Sequence, residues 1–342
     1  MPRRWRVALC GYYGFGNLGD ELLAEALLSA LEREGVSRDE AVLLTANPGA
    51  GRALGVQAVQ RWSVRDVFGA LRRSDTLLLG GGGLFQDSTS LRSCAYYWGV
   101  VRLARLAGAV PWCVGQSVGP FRTAVGRTLA RKALADCAAR GVRDDRSRAL
   151  LAQWGLSSAL SPDPVVSLPA SGEHSGGEGR TLLLNVRPWT DDLADRTARE
   201  ASRFAEVRGL SVTGVALSDE DRRLMEDQIA RGVLAAREVV LLDAESWRLR
   251  SEALFADAAA VVSMRYHFGL LALLARLPVC LSAYDPKVAE LANEWGVPAW
   301  TGEGALPEPT RPAGATDELP ERFADFFHRL WADVRLAAEG GV

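Results

Sequence analysis

Short runs of apolar residues recur along this chain, and amphipathic stretches fill the gaps between them. The runs at 7–10, 41–44, 76–79, 110–114 and 141–143 are too short for buried helices and are bounded by turn residues, so they predict buried strands. Between several of them, apolar residues fall at helical spacing over 21–34, 64–73, 96–106 and 122–139. Strands that are apolar throughout, separated by helices, make a parallel sheet covered on both faces. The alternation then restarts. Strands are predicted at 181–186, 210–216, 239–242, 258–262 and 279–282, with helices at 193–207, 219–233, 247–256, 268–275 and 287–295. Residues 302–316 form a Pro-rich loop and 319–336 a closing helix.

The break between the two series, residues 169–179, is polar, rich in Gly and Ser and without periodicity, as a linker is. The predicted domains are therefore 1–168, Rossmann-like; a linker at 169–179; a second Rossmann-like domain at 180–305; and the loop with closing helix at 306–342. A length of 342 residues suits two such domains. The fold class is α/β, with the strand ends of the two domains expected to face a central cleft.

Composition narrows the function. Apolar residues make up 48% and charged residues 24%, ordinary for a globular protein, and a net charge of −2 lacks the basic excess of a nucleic-acid binder. No stretch approaches the ~20 apolar residues of a membrane span. The first apolar run is too short for a secretory signal, so a cytoplasmic chain is expected. The cysteines at 10, 94, 113, 137 and 280 form no C-x-x-C pair and read as reduced, buried thiols. Only Lys132 and Lys287 are lysines among 40 basic residues. A lysine that survives such a bias toward arginine points to a task Arg does not perform. Lys287, after Tyr284-Asp285-Pro286, is either such a residue or a solvated helix start.

The densest chemistry is Ser263-Met264-Arg265-Tyr266-His267-Phe268-Gly269, between a predicted strand and a predicted helix. Ligands of open α/β sheets bind at such turns, and the free N–H groups of a helix start attract anions. A cation, Arg265, and a proton-transfer group, His267, stand two positions apart there. His174 falls in the linker and His328 in the closing helix, so His267 is the candidate acid or base. Gly11–Glu21 contains G-x-G-x-x-G at Gly14, Gly16 and Gly19, but the second strand ends in Thr45-Ala46-Asn47 rather than the acid a dinucleotide site needs. Asn17 and Asp20 are left as sugar or phosphate contacts, or the segment is a structural turn. Gly80–Gly83, followed by Gln86 and Asp87, is expected as a loop approaching a ligand. Gly115–Pro120 adds a third turn. Arg143 and Asp144 follow a short strand, as a ligand site or a structural pair, with Asp145 expected to cap the next helix. Arg187 is a second strand-end cation, suited to gripping a planar anion. No metal-ligand spacing occurs.

Taken in order, Gly-Tyr-Tyr-Gly-Phe-Gly-Asn-Leu-Gly-Asp-Glu at 11–21, Gly-Gly-Gly-Gly-Leu-Phe-Gln-Asp at 80–87, Gly-Gln-Ser-Val-Gly-Pro at 115–120, Val-Arg-Asp at 142–144 and Ser-Met-Arg-Tyr-His at 263–267 resemble the polysaccharide pyruvyl transferase family, and within it the CsaB-like branch. The resemblance implies a two-domain fold like that of GT-B glycosyltransferases. It implies transfer of the enolpyruvyl unit of phosphoenolpyruvate onto two hydroxyls of one sugar, forming a ketal and releasing phosphate, with no cofactor. In this branch the acceptor is N-acetylmannosamine on an undecaprenyl-diphosphate-linked disaccharide, which brings the enzyme to the inner membrane face. Its polymer retains surface-layer proteins on the wall. By the family's pattern Arg143, His267 and Lys287 fall on catalytic and phosphoenolpyruvate-binding positions, and Arg265 matches the cation before the histidine; Arg187, read from its strand end, is expected to join them in binding phosphoenolpyruvate. Asn17, Asp20, Gln86 and Asp87 are expected on the acceptor side, in domain 1–168, with phosphoenolpyruvate on domain 180–305. The alternative is a GT-B glycosyltransferase with a nucleotide-sugar donor.

Overall fold

A computed structural model of the chain describes residues 5–87, 90–168, 179–189, 191–314 and 317–340. The chain forms two compact units: Met1–Phe15, Asp20–Leu168 and Asp317–Val342 make the first, Gly16–Gly19 and Pro169–Thr316 the second. The linker predicted at 169–179 lies, apart from Gly179, outside the described residues.

In the first unit, β1 (Trp5–Cys10), β2 (Ala41–Thr45), β3 (Gln57–Gln60), β4 (Ser74–Phe85), β5 (Val110–Val118), β6 (Arg140–Val142) and β7 (Ala159–Leu160) form one parallel sheet in the order β3-β2-β1-β4-β5-β6-β7. Its connections carry α1 (Leu18–Arg33), α2 (Gly49–Ala53), α3 (Val64–Leu71), α4 (Leu91–Ala107), α5 (Ala124–Ala135) and α6 (Asp145–Gln153). In the second unit, β8 (Thr181–Asn185), β9 (Ser211–Ala216), β10 (Ala236–Leu241), β11 (Ala258–Ser263), β12 (Val279–Ser282) and β13 (Ala299–Trp300) repeat the plan as β10-β9-β8-β11-β12-β13. Its helices are α7 (Leu193–Arg208), α8 (Asp219–Ala230), α9 (Trp247–Ala256), α10 (Tyr266–Leu274) and α11 (Pro286–Trp295). The last helix, α12 (Leu319–Glu339), belongs to the first unit, where Phe327 and Trp331 pack on Trp112 of β5 at ring-centroid distances of 5.7 and 5.4 Å.

The central strands of each sheet are apolar throughout because helices cover both faces. The strands that sequence periodicity does not reveal are the edge strands β3, β7 and β13. β3 begins and ends with Gln57 and Gln60, and β7 and β13 are two residues each, too short to carry a pattern. All five cysteines are buried free thiols, and burial pushes Cys10 and Cys94 up to about 11 and Cys280 to about 12. No helix among the described residues is long and apolar enough to cross a membrane.

Two expected loops turn out to be strand. β4 runs on through Gly80–Gly83 to Phe85, and β5 through Gly115 and Gln116 to Val118. Packing explains the first two glycines of the run. A Cβ on Gly80 would overlap the Tyr13 hydroxyl and lie 2.6 Å from Leu27 Cδ1, and one on Gly81 would lie 2.5 Å from Leu23 Cδ2 of α1. They let α1 and the Tyr13 ring lie directly on the sheet.

The Tyr13 hydroxyl is buried with no hydrogen-bond partner among the described residues. Tyr13→Phe should therefore leave stability unchanged or raise it slightly, because it removes an unsatisfied polar atom. Gly80→Ala should cost about 1–3 kcal/mol through overpacking. Urea unfolding of the two variants checks both outcomes.

Candidate active site

In the second unit the order β8-β11-β12 sets three strand ends side by side, and the chain reverses its winding between β8 and β11. That reversal opens the place where such sheets bind ligands. Arg187 follows β8, Arg265 and His267 follow β11, and Tyr284 and Lys287 follow β12. The strand order thus gathers Arg187, Arg265, His267 and Lys287 at one edge.

Asn185, fully buried at the end of β8, holds the turn after β11. Its Nδ2 donates to Val215 O of β9 (2.8 Å), its Oδ1 accepts from Arg265 N (2.8 Å), and its carbonyl accepts from Met264 N (2.9 Å). Ser263 Oγ donates to Arg265 O (2.8 Å) and tightens the same turn. Arg265 then stands at the N-cap of α10, and His267 is that helix's second residue. The Arg265 guanidinium grips the fully buried Asp221 with two bonds, Nε to Oδ2 at 3.0 Å and Nη2 to Oδ1 at 2.6 Å, and Nη2 also reaches Ser218 Oγ at 3.2 Å. An anion seeking that fork must compete with Asp221.

The segment Gly16–Gly19 belongs to this unit. Leu18 N donates to Leu217 O (2.9 Å), and a Cβ on Gly19 would overlap His267 Nδ1 and lie 3.0 Å from its Cγ. The third glycine of the G-x-G-x-x-G pattern is therefore the wall against which the His267 ring rests. The Tyr266 ring meets the His267 ring edge-on at 5.2 Å. Asn17, half-buried, lies in the same segment.

Sequence inspection did not single out Tyr284, yet the cations converge on it. Arg187 Nη1 donates to its hydroxyl (3.2 Å), and the Arg187 guanidinium lies 5.2 Å from its ring. Trp189 packs on Tyr284 at 4.5 Å. Burial would push the Tyr284 phenol up, but Lys287, Arg187 and Arg265 outweigh it and hold the phenol below the ordinary tyrosine value. Lys287 is the second residue of α11, whose cap is Asp285, accepting from Lys287 N at 3.1 Å. Three cations acting on one site make an environment for an anionic ligand.

The first unit holds the remaining candidates. Arg143 is buried and paired with Asp163 (2.5 Å), and its Nε donates to Ser117 Oγ (2.8 Å). The cap of α6 is Asp144, accepting from Ser147 N at 2.7 Å, not Asp145, which is the first helical residue. Asp87 anchors the start of α5. Its carboxylate accepts from Arg122 N, Thr123 N and the Thr123 hydroxyl, and these bonds outweigh burial and hold it below the ordinary value. Gln86 follows β4 and is half-buried. Asp20 stands beside Gly82, where a Cβ would lie 3.5 Å from its Oδ1. Its neighbour Glu21 is a further residue that the spacing did not mark. Burial pushes Glu21 up to about 7, against the pull of the Gly14 N–H (2.7 Å) and with a push from Asp20. Away from these groups, His328 pairs with Glu34 at the surface (3.0 Å), and His174 lies outside the described residues. Among the described residues no cluster of three or more His, Cys, Asp or Glu converges as metal ligands would.

Known structures share this architecture. The UDP-N-acetylglucosamine 2-epimerase of Methanocaldococcus jannaschii superposes with a TM-score of 0.60 at 8% identity, covering 95% of this chain and 99% of that one. The Rickettsia bellii enzyme of the same name gives 0.56 at 11% identity over 98% and 97%. A glycosyltransferase from Rickettsia africae gives 0.53 at 9% over 98% of both chains. At such identities the likeness establishes the fold, two Rossmann-like units of the GT-B type. No curated protein matches the sequence significantly. The family model of the polysaccharide pyruvyl transferases matches residues 17–286, and the chain belongs to that family.

Because Glu21 binds its proton more tightly folded than unfolded, its contribution to stability is complete below the ordinary value of 4.5 and is lost as the pH rises through about 7. The full shift corresponds to a loss on the order of 3 kcal/mol. Glu21→Gln should flatten stability between pH 4.5 and 7, as urea unfolding at a series of pH values would read; parallel curves for variant and parent would refute the buried neutral acid. Asp221→Asn should cost about 3–5 kcal/mol by removing the buried counter-charge of the half-buried Arg265, visible as a lowered melting temperature.

Proposed function

We propose that this pyruvyl transferase moves the enolpyruvyl unit of phosphoenolpyruvate onto a sugar of a lipid-diphosphate-linked cell-wall polysaccharide precursor. The acceptor sugar is N-acetylmannosamine, the product a 4,6-ketal, and phosphate is released, as the CsaB-like motifs imply. The observation that carries the reading is the convergence of Arg187, Arg265 and Lys287 on Tyr284, at the sheet edge that also bears His267. Phosphoenolpyruvate carries a carboxylate and a phosphate, and both need cations. Lys287 and Arg187 bind them; Arg265 adds charge while its fork orients the His267 turn. The acceptor meets Asp20 and Gln86 of the first unit, with Asp87 shaping the loop beside them. An acceptor held on a lipid brings the enzyme from the cytoplasm to the inner membrane face. The polymer so modified serves to retain surface-layer proteins.

The chemistry proceeds by general acid catalysis. The His267 imidazolium gives a proton to the methylene carbon, leaving an oxocarbenium centre at the carbon that bears the phosphate. One sugar hydroxyl adds there and gives up its proton to His267. The C–O bond to phosphate breaks, and the second hydroxyl closes the ketal as its proton leaves with the phosphate. The C=C π bond, two O–H bonds and the C–O bond to phosphate are exchanged for one C–H bond, two C–O bonds and the O–H of free phosphate.

The decisive measurement is phosphate release from phosphoenolpyruvate with and without a synthetic lipid-diphosphate disaccharide containing N-acetylmannosamine. Acceptor-dependent release, with a mass gain of one pyruvyl ketal, is expected. Turnover of a nucleotide-sugar without such release would make the chain a glycosyltransferase. His267→Ala should lower turnover by about a hundredfold or more, and Gly19→Ala should lower it too, by displacing the ring without unfolding the helix start. Lys287→Arg should weaken phosphoenolpyruvate affinity, because a planar fork does not replace a point charge. Arg143→Lys separates two roles: lost turnover at an unchanged melting temperature marks a substrate contact, a lowered melting temperature the scaffold pair with Asp163.

A further inference from the structure

The three large aromatic side chains that are exposed among the described residues, Tyr12, Phe15 and Trp62, all lie in one array on the first unit. Tyr12 and Phe15 stack in parallel with centroids 4.0 Å apart. Trp62, 61% exposed, stands edge-on to Phe15 at 6.3 Å and to Tyr96 at 5.5 Å. Beneath them lies Arg61, only 4% exposed, its guanidinium 5.1 Å from the Phe15 ring, 5.1 Å from Trp62 and 4.1 Å from Tyr96. Arg61 donates to Gly11 O (2.7 Å) and to the Tyr97 hydroxyl (3.3 Å), and no carboxylate among the described residues pairs with it. A buried cation without a counter-charge is costly unless its surroundings hold it. Here ring faces and a carbonyl do so. The result is an aromatic floor laid over a buried cation.

We infer that this array is a carbohydrate subsite, in which a pyranose ring of the acceptor stacks its C–H face on Trp62 beside Tyr12 and Phe15. A sugar needs an apolar floor and polar edges together. For the second requirement, the loop that carries Tyr12 and Phe15 runs on to the half-buried carboxylate of Asp20. The exposed aliphatic side chains of this chain are, by contrast, scattered along it, apart from Val64 near Trp62. The identification of the sugar as the acceptor rests on the proposed function; the stacking itself does not.

The test is saturation-transfer NMR with a water-soluble disaccharide containing N-acetylmannosamine, and with a panel of other cell-wall oligosaccharides, in the absence of any donor. Wild-type protein should transfer saturation to the C–H protons of one ring face. Trp62→Ala should weaken binding about tenfold and abolish that transfer, while Trp62→Phe stays within about threefold. Trp62→Phe should keep the melting temperature, and Trp62→Ala should lower it only slightly, because Trp62 is exposed and is one of several rings over Arg61. No transfer from wild type to any saccharide would overturn the inference. So would Trp62→Ala that binds the sugar normally but loses binding to anionic phospholipid vesicles, which would make the patch, with Val64, a membrane contact. Trp62-dependent sugar binding without phosphate release from phosphoenolpyruvate would keep the subsite and remove the donor.

Discussion

Both units depend on one topological constraint. In a parallel sheet wound in both directions from a central strand, the connections leave the sheet on opposite faces beside that strand. The reversal falls between β1 and β4 in the first unit and between β8 and β11 in the second. Every candidate side chain follows from it, because the residues after neighbouring strands emerge together. The turns do not keep their shape by chance: Asn185 ties three strand ends with one buried carboxamide, and Asp221 fixes the orientation of Arg265.

The two units carry opposite chemistry at their strand ends. The second concentrates positive charge, with Arg187, Arg265 and Lys287 acting on one tyrosine and Arg265 bound to Asp221. The first offers acids, Asp20 and a Glu21 whose carboxyl burial pushes up to about 7, while its buried strand-end cation Arg143 is matched by Asp163. The second unit's strand ends thus suit an anion and the first unit's suit hydrogen-bond donors.

The glycine motifs acquire a different meaning once packing is known. A glycine is needed where a backbone must twist or where another group comes too close for a Cβ. At Gly80 and Gly81 the close group is the protein itself, Tyr13 and Leu23, and at Gly19 it is the His267 ring. The motif that resembles a nucleotide cradle thus serves partly to seat a side chain encoded far away in the chain.

The alternation of apolar runs and amphipathic stretches was sufficient to place the central strands and most of the helices, because burial on both faces imposes a composition that local inspection recognises. The same holds for the His267 turn, where a strand end, a cation and a helix start are contiguous. Edge strands such as β3 and β7 left no such trace, since half-solvated or two-residue segments carry no pattern. The extension of β4 through four glycines was equally hidden, because glycine signals a turn locally and close packing only in three dimensions. Which charges are already paired was likewise decided by the tertiary structure alone. Arg265 meets Asp221 across 44 residues and Arg143 meets Asp163 across 20, while Asp87 turns to Thr123. The identity of each candidate residue was written in the chain, but its available lone pairs, its burial and its neighbours depend on contacts that only the fold brings within reach.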